Sequence, residues 1–224
     1  MYEIVRRSRL FRDLGEDLAT SLYQQCKHEV VKKGRRLFQE HDDADRLYIV
    51  TSGKIKLAHA SGDGRETLVM IAGPGDTFGE LAAFDSGKRT STAIAITDSQ
   101  VDSLRTDALF AWLTDHPQAA QALFKAVATR MRHMMGAQSD LIFVDVPGRV
   151  AKALIELSSK FGSPTTSGVL VNHDLTQEEL AQFVGASRET VNKALADFAS
   201  RGWIRLETRS VEIVDLERLE KRAK

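Results

Sequence analysis

The sequence predicts an α+β fold in which a glycine-rich β-roll or β-sandwich is followed by one long helix and a winged helix-turn-helix. Three observations carry this prediction. Eight of the fifteen glycines fall between positions 34 and 87, among short β-branched runs. From Gln118 to Val144 the texture changes, with Gly136 the only glycine and no proline. From Thr176 onward, a capping box, a turn glycine and a second capping residue follow at the spacing of two crossed helices. The expected division is therefore residues 1–115, 116–144 and 145–224.

Composition narrows the class before any motif is read. The 224 residues carry 31 basic and 31 acidic side chains, so DNA binding would need a local basic face. Cys26 is the single cysteine, which excludes an internal disulfide and a four-cysteine cluster within one chain. The six histidines show no ligand-like spacing, so no metal and no resident cofactor are expected. No nucleophile, base and orienting group stand together in the sequence, so an enzyme is not expected. Met1 to Arg12 holds no apolar run of signal-peptide length, and nowhere do 18 apolar residues run together. A cytoplasmic chain without a membrane partner is the expectation.

The first expected strands are Arg46–Val50, Lys54–Leu57, Thr67–Met70 and Thr92–Ile96, with Ser61-Gly62-Asp63-Gly64 as a hairpin turn. In the long helix, Ala120, Phe124, Val127, Met131, Met134, Gln138 and Leu141 recur at alternating spacings of four and three. That is a coiled-coil seam with one polar position, and it predicts a dimerisation helix. A helix laid against its own β-domain is the alternative, but 27 residues would extend roughly 40 Å. Asp145-Val146-Pro147-Gly148 reads as a hinge, because the residue before proline is pushed out of helical geometry. A further helix presents Val150, Leu154, Leu157 and Phe161 on one face, and Gly162 to Gly168 reads as a loop.

Thr176 and Glu179 form the capping box of a short helix with Leu180, Ala181 and Val184 apolar, which Gly185 ends. Ser187 caps a second helix in which Val191, Ala194, Leu195 and Phe198 face inward and Gly202 closes the end. Counting from Gln177, a small residue at the fifth position, glycine at the ninth and a branched residue at the fifteenth meet the needs of a helix-turn-helix. Arg188, Glu189, Asn192 and Lys193 are left outward at the end of the second helix that enters the major groove in such motifs. Arginine can pair with guanine, and glutamate can accept from cytosine. Thr176, Gln177, Ser187 and Thr190 offer polar groups of the kind that hold phosphates. Trp203–Glu207 and Val211–Val214 alternate around Thr208-Arg209-Ser210 as a two-stranded wing. A pair of ordinary packed helices with a solvated face would need all of these features to coincide.

At these residues the sequence resembles the cyclic-AMP receptor protein (CRP/FNR) family, especially its actinobacterial branch. Asp174 to Glu207, with Ser187-Arg188-Glu189-Thr190-Val191 at its centre, resembles the family's winged helix. The resemblance implies that Arg188 and Glu189 read bases at a palindromic, TGTGA-like site. Relatives with arginine at the third reader use it for another base contact, whereas this chain has Lys193, which lacks the planar fork. Asp45–Val50 and Ser52–Lys56 look like the family's first strands, within a cyclic-nucleotide-binding jelly roll. Gly75–Leu81 followed by Arg89-Thr90-Ser91 looks like its phosphate-binding cassette.

The chemistry of that cassette is intelligible by itself. Arg89 can bind a cyclic phosphodiester, with Thr90 or Ser91 adding hydroxyl donors. Gly79 permits close backbone approach, and Glu80 can accept from a ribose hydroxyl, with Leu81 completing the motif. The departure lies in the long helix. Where cyclic-AMP-responsive relatives carry an adjacent polar pair that holds adenine across the dimer, this chain has Met134 and Met135, and a thioether donates nothing. The resemblance thus implies a homodimeric regulator under allosteric control by cyclic AMP, with double-stranded DNA and RNA polymerase as partners. The alternative is the same DNA-binding regulator acting without cyclic AMP or answering to another ligand.

Overall fold

A computed structural model describes residue 8, residues 10–60, residue 62 and residues 66–224. The N-terminal stretch read for a signal peptide lies mostly outside the described residues, as do Ser61, Asp63 and Gly64 of the expected turn. The chain forms two compact units, residues 1–133 and 134–224.

Among the described residues the first unit contains α1 (Glu16–Tyr23) and the strands β1 (Lys27–Val31), β2 (Arg36–Phe38), β3 (Arg46–Ser52), β4 (Ile55–Ala60), β5 (Glu66–Ala72), β6 (Thr77–Phe78), β7 (Thr92–Ala95) and β8 (Ser99–Arg105). They make two antiparallel four-stranded sheets, ordered β1-β8-β3-β6 and β2-β7-β4-β5. Val50, Phe78 and Val101 from the first sheet and Phe38, Ile55, Leu57 and Ala93 from the second share one buried core. The opposite face of the first sheet packs Leu47, Ile49 and Leu104 against α1, α3 (Thr106–Asp115) and the start of the long helix. Strand β3 is therefore buried on both faces, which is why Leu47-Tyr48-Ile49-Val50 is apolar without alternation. Strands β4 and β5 pair antiparallel from Ile55↔Ala72 to Ala60↔Glu66, the pairing expected of the hairpin.

The short α2 (Glu80–Asp85) sits between β6 and β7, and α4 runs from Gln118 to Phe143. Helix α4 serves two surfaces. Ala119, Leu123, Ala126 and Val127 pack on the first unit's core, whereas Phe124, Met131, Met134 and Leu141 are exposed. Val127 therefore does not belong to the exposed seam with the others, because at that turn the β-domain covers it. Phe124 is 72% exposed and Met131 59% exposed, far more than apolar side chains of this size tolerate without cover.

In the second unit, α5 (Val146–Phe161) packs against α6 (Gln177–Val184), α7 (Arg188–Ser200) and α8 (Leu216–Arg222). The helical break is shorter than Asp145–Gly148. Val146 is already helical, and Asp145 caps α5 by accepting from the Gly148 N–H at 3.0 Å. Pro147 is tolerated in that first turn because its missing N–H would have no intrahelical partner there. A second correction concerns residues 162–168: Gly162–Pro164 form β9, which pairs with β10 (Val169–Asn172). The wing strands β11 (Ile204–Glu207) and β12 (Ser210–Ile213) join them in a four-stranded sheet, β11-β12-β10-β9, rather than standing alone. Arg209 turns that hairpin at φ 60°. Among the described residues no helix is long and apolar enough to cross a membrane.

Candidate ligand pocket and nucleic-acid interface

The cassette is built around a sharp turn. Gly79 has φ +75°, and a Cβ there would lie 2.7 Å from Arg89 Nη1, so only glycine fits. Arg89, 3% exposed, donates from Nη1 to the Gly79 carbonyl and from Nη2 to the Arg46 carbonyl, both at 2.8 Å. Its guanidinium lies 4.2 Å from the Phe38 ring centroid. The backbone is pinned as well, with His41 N–H donating to the Arg89 carbonyl and Arg89 N–H to that of Asp42. The Nε is buried with no hydrogen-bond partner. Burial lowers the pKa of Arg89, yet guanidinium remains cationic, so a buried positive charge keeps one unused donor.

Glu80 opens α2 and is 2% exposed. Arg130 of α4 places Nη1 2.7 Å from Glu80 Oε1, without hydrogen-bond alignment, while donating to the Thr77 carbonyl at 3.1 Å. Both Glu80 oxygens and Thr77 Oγ1 are buried without a hydrogen-bond partner. Burial pushes the Glu80 carboxyl above its ordinary pKa, against the opposing pull of Arg130 and, more weakly, Arg89. A buried cation and a buried acceptor without donors suit a ligand that is at once anionic and a hydroxyl donor.

Of the residues expected at this site, the structure gathers Gly79, Glu80 and Arg89. Ser91 is buried nearby in sequence, whereas Thr90 and Leu81 are open to solvent. Met134 and Met135 lie on α4 in the second unit, 55% and 68% exposed. Arg130 escaped the sequence reading. Its one signal was a cation in the long helix a single turn before Met134.

The helix-turn-helix is held by the expected local chemistry. Thr176 Oγ1 accepts from the Glu179 N–H at 3.1 Å, and Glu179 Oε2 accepts from the Thr176 N–H at 2.9 Å. Gly185 takes the left-handed conformation, with φ 70° and ψ 44°. Ser187 caps α7 by accepting from the Thr190 N–H at 3.2 Å, and Val191, Ala194, Leu195 and Phe198 are buried. Gln177, Arg188, Glu189, Thr190 and Lys193 are exposed, and Asn192 is half-buried. Two residues of the expected reading face hold each other, with Lys193 Nζ 2.6 Å from Glu189 Oε1. The hydroxyls of Ser187 and Thr190 share a hydrogen bond of 2.8 Å, and that of Thr176 donates to Glu179. In the free protein these groups serve the caps.

A β-domain with buried charged side chains that keep unpartnered polar atoms, and a winged helix-turn-helix on the same chain, define the class of a DNA-binding transcription regulator. Comparison with known proteins gives the family. Residues 28–116 match the cyclic nucleotide-binding domain, and residues 148–222 match the Crp-like helix-turn-helix domain. Over all 224 residues the chain is 49% identical to a "CRP-like cAMP-activated global transcriptional regulator" of Mycobacterium tuberculosis, covering 100% of both chains. It is 31% identical to a "Cyclic AMP receptor protein" of Thermus thermophilus, covering 96% of this chain and 97% of the other. A solved catabolite activator protein of Thermus thermophilus matches with a TM-score of 0.56 at 30% identity, over 96% and 98% of the two chains. The chain belongs to the CRP family of transcription regulators, which are not enzymes.

Proposed function

We propose that this protein is a cytoplasmic homodimer that binds a palindromic, TGTGA-like DNA site under the control of cyclic AMP. The observation that carries the ligand reading is that Arg89 and Glu80, on either side of the Gly79 turn, are both buried with unused hydrogen-bonding capacity. Arg89 would take the cyclic phosphate, with Ser91 or Thr90 beside it. Glu80, turned by Gly79 and faced by Arg130, would accept from the ribose hydroxyl. The M. tuberculosis relative is described as cAMP-activated, which favours cyclic AMP as the nucleotide.

The dimer reading rests on the exposed stripe of Phe124, Met131, Met134 and Leu141, a surface suited to a second copy of α4. On DNA, Arg188 and Glu189 would read base edges after Glu189 releases Lys193. Asn192 and Lys193 would share that face, and Thr176, Gln177, Ser187 and Thr190 would flank the backbone, where the first N–H groups of α6 and α7 favour phosphate. RNA polymerase is the expected protein partner of such a regulator.

Met134 and Met135 favour a second reading, in which the same DNA binder acts without cyclic AMP or answers to another ligand. Thioethers can pack against a purine but cannot fix its amino group. Calorimetric titration of cyclic AMP separates the two. Saturable binding, strengthened in the Met134→Thr, Met135→Asn double variant, is the expected result. Absence of binding to the unmodified protein would overturn cyclic-AMP control and leave the second reading.

A further inference from the structure

Arg89 is a buried cation without a paired anion. The residue is 3% exposed, and among the described residues no carboxylate forms an ion pair with it. Asp45 and Asp42 act on it only from a distance. The carbonyls of Gly79 and Arg46 accept from its two Nη atoms, and Nε is left without a partner. Taking a guanidinium out of water is costly, so a further attraction must hold it there.

A cluster of aromatic rings supplies it. Phe38 closes β2, opposite the small Ala93 of β7. Its ring centroid lies 5.7 Å from that of Tyr48 on β3 and 6.1 Å from that of Phe78 on β6. Tyr48 and Phe78 stack at 5.2 Å with 12° between their planes. Each of these side chains is buried, so the rings brace one another. The Arg89 guanidinium lies 4.2 Å from the Phe38 centroid and 5.8 Å from that of Tyr48. The Gly79 turn borders both groups, since a Cβ there would come 2.7 Å from Arg89 Nη1 and 3.4 Å from the Phe38 ring.

An aromatic face attracts a cation through its quadrupole, most strongly where water is excluded. It does so without two effects that a carboxylate would have. The ring does not neutralise the charge, and it accepts none of the in-plane N–H donors. A carboxylate in the same place would compete with an anionic ligand and would have to be displaced by it. Leucine would fill much of the volume of Phe38 but offers no quadrupole, leaving Arg89 to turn toward water. Ligand binding would then have to bring the side chain back and strip that water from it.

We propose that Phe38, braced by Tyr48 and Phe78, is a positioning residue that holds the Arg89 guanidinium in place for an anionic ligand through a cation–π contact. The role rests on the reading of Arg89 as the phosphate-binding group. Phe38 acts on Arg89 and not on the ligand itself. The electron density of its ring face, and not its size alone, then sets ligand affinity.

Replacing Phe38 by mono-, di- and trifluorophenylalanine in the full-length protein tests this, because fluorine withdraws charge from the ring face while nearly keeping its shape. Calorimetric titration with cyclic AMP should show affinity falling at each step of the series. Phe38→Leu should lower it by roughly 30-fold, the size of a desolvated cation–π contact. NMR of isotope-labelled arginine in the ligand-free protein reads the contact directly. The Arg89 Nε–H signal, identified by its loss in Arg89→Lys, should lie upfield in the parent through the ring current and move downfield in Phe38→Leu. Circular dichroism checks folding, and if Phe38→Leu does not fold, the nearly isosteric fluorinated series carries the test. Absence of cyclic AMP binding to the parent would overturn the ligand reading and the role that rests on it. Binding that is indifferent to the fluorinated series, or an Arg89 signal without the upfield shift, would overturn the positioning role alone.

Discussion

Replacing Glu80 by glutamine separates the carboxylate's role toward ligand from its role in the fold. Glu80 is 2% exposed, and neither of its oxygens accepts a hydrogen bond. A hydrogen bond to a charged acceptor contributes about 1.5–3 kcal/mol. Losing such a bond to a ribose hydroxyl lowers affinity roughly 10- to 150-fold. Glutamine retains one acceptor oxygen, so about tenfold is the expected loss.

Stability should move the other way. The substitution removes a buried charge that lacks hydrogen bonds, while Arg130, its side chain 36% exposed, keeps its water. The ligand-free variant should unfold at the same temperature as the parent or higher. A pH dependence accompanies this. The folded-state pKa of Glu80 lies above its ordinary value of 4.5, so folding takes up protons. The parent loses stability as pH rises from the ordinary value through the folded one, and the variant lacks that loss. Calorimetry with cyclic AMP and thermal unfolding across pH measure both effects. Parental affinity in the variant, or a large fall in its unfolding temperature, would refute the reasoning.

Further consequences follow from the caps, the wing and the lone thiol. Thr176→Ala and Ser187→Ala should each lower stability by about 1 kcal/mol in urea unfolding, because each leaves a helix N–H without its acceptor. Hydrogen bonds from Ser167, Thr165 and Arg205 hold Glu212 at a pKa of about 2. The stability it contributes is present above the ordinary value of 4.5 and is lost as pH falls toward about 2. Acid unfolding of Glu212→Gln should show a shallower fall over that window, with lower stability at neutral pH. Burial pushes the Cys26 thiol up to about 12, so alkylation at pH 8 should be slow in the folded protein and fast in guanidinium. Equal rates would contradict the burial of that side chain.

The parts legible in the sequence are those governed by local chemistry. Thr176, Glu179, Gly185 and Ser187 act within a few residues of themselves, and the structure places each in the capping or turn role their spacing implied. Gly79 and Arg89 were legible because the turn and the cation sit in one short segment. Long-range packing was not. The Arg130–Glu80 contact joins residues fifty apart, and nothing near either residue specifies the other. Val127 fits a heptad as well as Met131 does, and only the β-domain beside it decides that it is covered. Ser163-Pro164 has loop composition, but the neighbouring Val169–Val171 supplies a strand edge on which it pairs. Pro147 signalled a break, yet the Asp145 cap lets the helix begin ahead of it.

Affinity for DNA with and without nucleotide is the most direct test of ligand control. Binding of the purified protein to a TGTGA-containing palindrome, at fixed salt, should tighten when cyclic AMP is added, and Glu80→Gln should weaken that response. Equal affinity with and without cyclic AMP would contradict ligand control and leave a regulator that reads DNA unaided.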